Sequence, residues 1–159
     1  MFYQFNDIKE FKNNNLIKKY EHDAGWDIRS EREVFLRGGQ AAIIITGLHI
    51  IMPKGFVGII KSRSGLAIDN SIEASNAGVL DSGYTGQIYI KIYNHSLRSF
   101  TIKKGTRIAQ ILFGYSHTVA PDRLGHIDIP QTIPELTEDE FRAIKSRRGE
   151  NGVGSTGLE

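Results

Sequence analysis

A sheet-dominated single domain, with one short late helix and a glycine-rich tail, is the fold class this sequence predicts. Three observations carry that reading. Short runs rich in Ile, Val, Tyr and Phe recur along the chain, each bounded by Gly, Asn or Ser. Helical spacing of apolar residues occurs only near the end of the chain. The length, 159 residues, suits one domain with a real core and is too short for two.

The strand candidates follow in order: QAAIIITG, HIIM, FVGIIKS, QIYIKIYN, SFTIKK and RIAQILF. QIYIKIYN alternates most clearly, so Ile88, Ile90 and Ile92 are expected on one face and Tyr89, Lys91 and Tyr93 on the other, the pattern of a half-buried strand. The helix signal lies near 137–146, where Thr137 and Glu140 form a capping-box pair ahead of Phe141 and Ile144, with Lys145, Arg147 and Arg148 toward the C-terminal end of the dipole. After Arg148, ENGVGSTGLE is crowded with glycine and has little to bury. We therefore divide the chain into a domain over 1–146 and a mobile arm over 147–159.

Composition narrows the chemistry. With no cysteine there is no disulfide, thiol nucleophile or thiolate zinc site. The histidines His22, His49, His95, His117 and His126 lack the spacing of paired metal ligands, which leaves room for a hard, oxygen-seeking cation. A formal net charge of +2 is too small for a dedicated nucleic-acid surface. No run approaches the length of a membrane span, and MFYQFNDIKE lacks the build of a secretory signal, so an intracellular, cytoplasmic protein is expected.

Five segments carry candidate chemistry. AGWDIRS sets Asp27 behind a glycine turn and between apolar neighbours. KSRSGLA follows a strand and offers Arg63, Ser64 and Gly65 in what reads as a loop able to bring backbone N–H groups to an anion, or as a plain turn. NAGVLDSGYTGQI places Asp81 and Tyr84 among glycines, with Val79 and Leu80 pressed against the acid. GTRIAQILF contains Gln110, an amide in an apolar run that needs partners. RRGENGVGSTG puts Arg148 ahead of Gly154, Ser155 and Thr156, good phosphate ligands once ordered.

In order and wording these five segments resemble the five signature motifs of the deoxyuridine triphosphatase (dUTPase) family, over nearly the whole chain. The resemblance implies a distorted jelly-roll, barrel-like all-β fold that assembles as a homotrimer. Each active site would take motifs one, two and four from one subunit, the motif-three hairpin from a second and the tail from the third. It implies hydrolysis of dUTP to dUMP and pyrophosphate with Mg²⁺. Asp81 would be the general base, its pKa raised by the Val79-Leu80 flank and the nearby substrate phosphate, and Asp27 would hold the water shell of the ion. Arg63, Ser64 and Gly65 would contact the α- and β-phosphates with Gln110 opposite. Tyr84 would pack under the deoxyribose, and Asn76 and Gly78 would stand at the uracil. Arg148, Ser155 and Thr156 would close on the γ-phosphate, with Val153 and Gly154 in the lid.

One position departs from the family pattern: Val153 stands where an aromatic residue usually stacks on uracil. Two other functions remain in view. The related dCTP deaminases need a glutamate where Lys91 stands and typically a phenylalanine at Tyr84. A nucleotide-switched signalling trimer would use an extra segment, for which Asp122 to Glu135 and the first twenty residues are the candidates.

Overall fold

The computed structural model describes residues 1–7, 16, 18–75, 79–116, 129–130 and 132–144. Within these the chain forms β1 (Tyr3–Asn6), β2 (Trp26–Arg29), β3 (Val34–Leu36), β4 (Ala41–Ile45), β5 (Leu48–Ile51), β6 (Phe56–Ser62), α1 (Ser64–Asn70), β7 (Ile72–Ser75), β8 (Val79–Asp81), β9 (Tyr89–Asn94), β10 (Phe100–Ile102), β11 (Arg107–Tyr115) and α2 (Glu138–Ala143). The strand-dominated reading holds, and all six predicted apolar runs contribute strands.

The strands make four small antiparallel sheets, in the orders β1-β5, β10-β3, β2-β11-β6-β8 and β4-β9-β7. Their inner faces share one core. In β9 the alternation falls as expected: Ile90 and Ile92 are fully buried and Ile88, just before the strand, nearly so, while Tyr89 is 41% exposed. Each such isoleucine contributes about 1.5–3 kcal/mol when removed from water. Ile28, Ile44, Ile102, Ile108 and Ile111 join them from four other strands, so the sheets cannot separate without exposing this cluster.

Strand β1 is tied to the segment over 133–141. Gln4 is buried in β1; its Nε2 donates to Ile133 O and its Oε1 accepts from Leu16 N–H, while its backbone bonds Pro134 and Leu136. That brings α2 against β1, where the Phe141 and Phe5 rings stack at 4.6 Å. The first residues, a candidate signalling segment, thus include a structural strand, and Ile133 from the second candidate segment lies in the core.

Helix α2 begins where the capping box predicts. Thr137 Oγ1 accepts from Glu140 N–H, and the Glu140 carboxylate accepts from Thr137 N–H at 2.9 Å. A second helix corrects the reading of KSRSGLA as a loop, since Ser64–Asn70 is helical. Serine and glycine in its first turn disguise it, because both have low helix propensity. It stops at Ser71, which adopts a left-handed conformation (φ 56°) and returns its N–H to Ala67 O.

Candidate active site

The first half of the site is set by an irregularity in β11. The register of β11 on β2 shifts between Arg107 and Ala109, and the two consecutive residues Ile108 and Ala109 are both fully buried. In a regular strand Arg107 and Gln110 would face opposite sides; the extra residue of the bulge turns both to the outer face. Asp27 of β2 lies directly opposite Gln110, and Lys61 of β6 opposes Gln110 on its other side.

Asp27 is the hub. One carboxylate oxygen accepts from Arg63 Nε at 2.9 Å and the other from Arg107 Nη1 at 3.1 Å, with the Asp27 side chain 17% exposed. Arg63 is the N-cap residue of α1, but its side chain makes no cap and turns to Asp27. The first turn of α1, holding Ser64 and Gly65, therefore starts beside the guanidinium, and helix N-termini direct N–H groups outward with a partial positive charge. Gln110 is half-buried rather than enclosed, and its amide nitrogen donates to Ser62 O at 3.3 Å. Gly25 allows the close approach of β2, since a Cβ there would stand 3.2 Å from Gln110 Oε1 and from Ile111 O. One carboxylate thus orients two guanidiniums, with a lysine, an amide and a helix start around them: a cradle for a polyanion.

The second half lies across the same sheet. Asp81 closes β8, which pairs with β6 so that Asp81 faces Val57. Tyr84 N–H donates to Asp81 O at 3.0 Å, turning the chain across Ser82 and Gly83, and Tyr84 Oη donates to Gln87 O at 2.7 Å. A Cβ on Gly86 would fall 2.5 Å from Tyr84 Oη, so only glycine leaves room for that ring. Asp81 and Ser82 line an open hollow of about 660 Å³ with Lys54, Phe56, Val57 and Tyr115. The flank expected to shield the acid does not do so within the chain. Leu80 points to the core, whereas Val79 is 58% exposed and Asp81 is exposed beside it.

Between Asp27 and Asp81 lie β11 and β6, and along β6 the two are offset from Lys61 to Val57. At about 4.8 Å per strand and 3.3 Å per residue, this separation is on the order of 20 Å. The sheet surface between them carries exposed Ile59 and Val79.

Against known proteins, the dUTPase family model matches residues 12–157. The deoxyuridine 5'-triphosphate nucleotidohydrolase of Clostridium tetani is 32% identical over 154 residues, covering 94% of each chain. The chain belongs to the dUTPase family. The dUTPase-family relative of Crocosphaera subtropica, with the same nucleotidohydrolase name, is 34% identical over 95% of this chain and 97% of its own. Among solved dUTPases, the native EIAV enzyme superposes with a TM-score of 0.64 at 22% identity, over 76% of this chain and 92% of that one. A mutant dUTPase of Staphylococcus bacteriophage 80alpha with dUpNHpp does so with a TM-score of 0.62 at 27% identity, over 99% of both chains.

Of the dUTPase motif residues, Asp27, Arg63, Ser64, Gly65 and Gln110 gather in the cradle, and Asp81 and Tyr84 stand apart at the end of β8 and in the turn after it. Asn76, Gly78, Arg148, Val153, Gly154, Ser155 and Thr156 lie outside the described residues. Two cradle members, Arg107 and Lys61, escaped sequence reasoning. Arg107 stands three residues before Gln110 in an otherwise apolar strand, a spacing that puts both on one face only where a bulge intervenes. Among the described residues no helix is long and apolar enough to cross a membrane.

Proposed function

We propose that the chain hydrolyses dUTP to dUMP and pyrophosphate as a homotrimer, the hairpin of one subunit meeting the cradle of another. The observation that carries this is the separation on the order of 20 Å between Asp81 and Asp27 within one chain. A general base must stand within about 3 Å of its proton, or one water away, so neither half serves the other in the same subunit. Closing the gap with a second subunit also covers Val79 and Ile59. Burial of that kind would supply the desolvation of Asp81 that its own flank lacks.

The Asp81 carboxylate takes a proton from water as the water oxygen bonds to the α-phosphorus. The bond from that phosphorus to the bridging oxygen breaks, and pyrophosphate leaves. Arg63, the α1 start at Ser64 and Gly65, and Gln110 take up the charge on the phosphate oxygens. Arg107 holds Asp27, which in turn holds Arg63 in place. Tyr84 packs beneath the deoxyribose and crowds out a 2′-hydroxyl, while Asn76 and the backbone at Gly78 read uracil. From a third subunit, the arm over 147–159 brings Arg148, Ser155 and Thr156 to the γ-phosphate, with Val153 and Gly154 over the base.

The donor set fits a Mg²⁺ ion carried by the substrate phosphates and water. Mg²⁺ characteristically keeps several waters and takes phosphate oxygens as ligands. Asp27 gives one lone pair on each oxygen to an arginine, which leaves acceptor capacity for a water of the ion's shell. When bound, the ion would gather the phosphates and offset their charge.

Pyrophosphate release from dUTP, measured together with particle mass by analytical ultracentrifugation, tests the reading. Activity confined to a species three times the chain mass is expected. Full activity in a monomer would overturn the shared-site reading, and tight dUTP binding without turnover would favour a nucleotide switch.

A further inference from the structure

We propose that His49 is a positioning residue for Tyr84, linking helix α2 to the hairpin's return leg; this rests on the reading of Tyr84 as the ring beneath the sugar. His49 sits in β5, is only 6% exposed, and lies outside all five motifs. Its Nδ1 stands 2.8 Å from Thr85 O. A carbonyl oxygen only accepts, so Nδ1 carries the proton and donates it. The ring packs between Phe5 at 5.6 Å and Phe141 of α2 at 4.9 Å, a slot that a phenylalanine would also fill. What phenylalanine lacks is the donor aimed at the residue following Tyr84.

The surrounding bonds converge on the same short stretch. Gln87 Nε2 donates to the Asp7 carboxylate at 3.3 Å, and that carboxylate lies 3.4 Å from His49 Nε2. Tyr84 Oη donates to Gln87 O, and Ile88 N–H donates to Leu48 O, next to His49 in sequence. The leg from Tyr84 to Ile88 is thus held from β5 at Thr85 and at Ile88, from β1's end at Gln87, and by Tyr84 itself. Remove the donor to Thr85 O and the leg keeps its fastenings at Gln87 and Ile88 but loses the one nearest Tyr84 in sequence. The Tyr84 ring, with no slack over Gly86, then shifts. Since Phe141 stacks on Phe5 and packs at a tilt against His49, the packing of α2 bears on the same ring.

The test compares kcat/KM for dUTP and UTP in the full-length protein. His49→Phe keeps the ring and removes the donor; discrimination against UTP should fall about 3- to 10-fold, the worth of one lost hydrogen bond. The change should come mainly through KM for dUTP. His49→Asn, whose amide nitrogen can stand near the Nδ1 position, should recover most of the ratio. An unchanged ratio in folded His49→Phe overturns the proposal, as does failure of His49→Asn to recover more than His49→Phe. Tyr84→Ala runs alongside. If it leaves discrimination intact, the sugar-packing reading falls; if it lowers discrimination while His49→Phe does not, only the role of His49 falls. Should His49→Phe not fold, Phe141→Ala is read instead, a lowered ratio supporting the link and an unchanged one overturning it.

Discussion

The cradle and the hairpin solve opposite problems on one sheet. Around Asp27 both carboxylate oxygens are engaged, two arginines are held, and a bulge in β11 has brought Arg107 and Gln110 to the same face. The arrangement is complete within one chain. Asp81, at the far edge of that sheet, is exposed beside a valine that is itself more than half exposed. A general base acts where a surface excludes solvent and brings the reacting phosphorus within reach of it. On the reading proposed above, the difference teaches that phosphate binding would be a property of the fold, whereas the chemistry would be a property of the assembly.

The contrast can be broken most sharply at the hairpin. Asp81→Asn should lose on the order of 10²- to 10⁴-fold in kcat while dUTP binds almost normally, since only the base is lost; equal losses in binding and rate would make Asp81 structural. Deleting the arm from Gly149 onward should lower kcat/KM by at least about tenfold, on the scale of one charged phosphate contact, and leave a folded trimer by circular dichroism and sedimentation. An unfolded product would show that the arm belongs to the core.

Asp27→Asn probes the other half, and its signature should differ. With Arg63 and Arg107 left adjacent and less well paired, we expect about 1.5–3 kcal/mol lost from stability together with weaker dUTP binding, both absent in Asp81→Asn. Denaturant unfolding beside isothermal titration would show the split. Val153→Phe adds a π-face over the base and should raise kcat/KM by about 2- to 10-fold, corresponding to roughly 0.5–1.5 kcal/mol of aromatic packing; no gain would mean that the arm does not lie over uracil.

The smallest effect concerns α2. Glu140's carboxyl is held below its ordinary value, first by the Thr137 backbone N–H and then by the Thr137 hydroxyl. A depressed folded pKa means the cap contributes fully above the unfolded pKa and is lost as pH falls through the folded one. The protection of the Thr137 amide, its NMR exchange rate compared with that of an unstructured amide at the same pH, should fall on acidification through that range and stay constant above it.

Much of this was legible in the residues, for identifiable reasons. Ile88, Ile90 and Ile92 announced their strand because one face is buried and the other wet, and the Thr137–Glu140 pair announced its helix because a reciprocal cap is a local affair. Helix α1 was hidden because Ser64 and Gly65 favour loops, and the neighbouring sheet, not propensity, holds the segment. Strands β1, β3 and β7, of three or four residues, are too short for alternation to register. Arg107 was not singled out because a bulge is decided by pairing with β2, and regular alternation alone would set Arg107 and Gln110 on opposite faces. The exposure of Asp81 was hidden for the same kind of reason: Val79 and Leu80 are both apolar, and only the register on β6 tells which one turns inward.

The most direct measurement is subunit complementation. Asp81→Asn chains, with an intact cradle, are unfolded, mixed and reassembled with Arg63→Ala chains, which keep an intact Asp81, and pyrophosphate release from dUTP is followed. Each variant alone should be nearly inactive. If hairpin and cradle come from different subunits, the mixture as a whole should recover roughly a quarter of full activity for random mixing around a closed ring. A mixture no more active than its two parents would contradict the account, because it would place Asp81 and Arg63 of the same chain in one site.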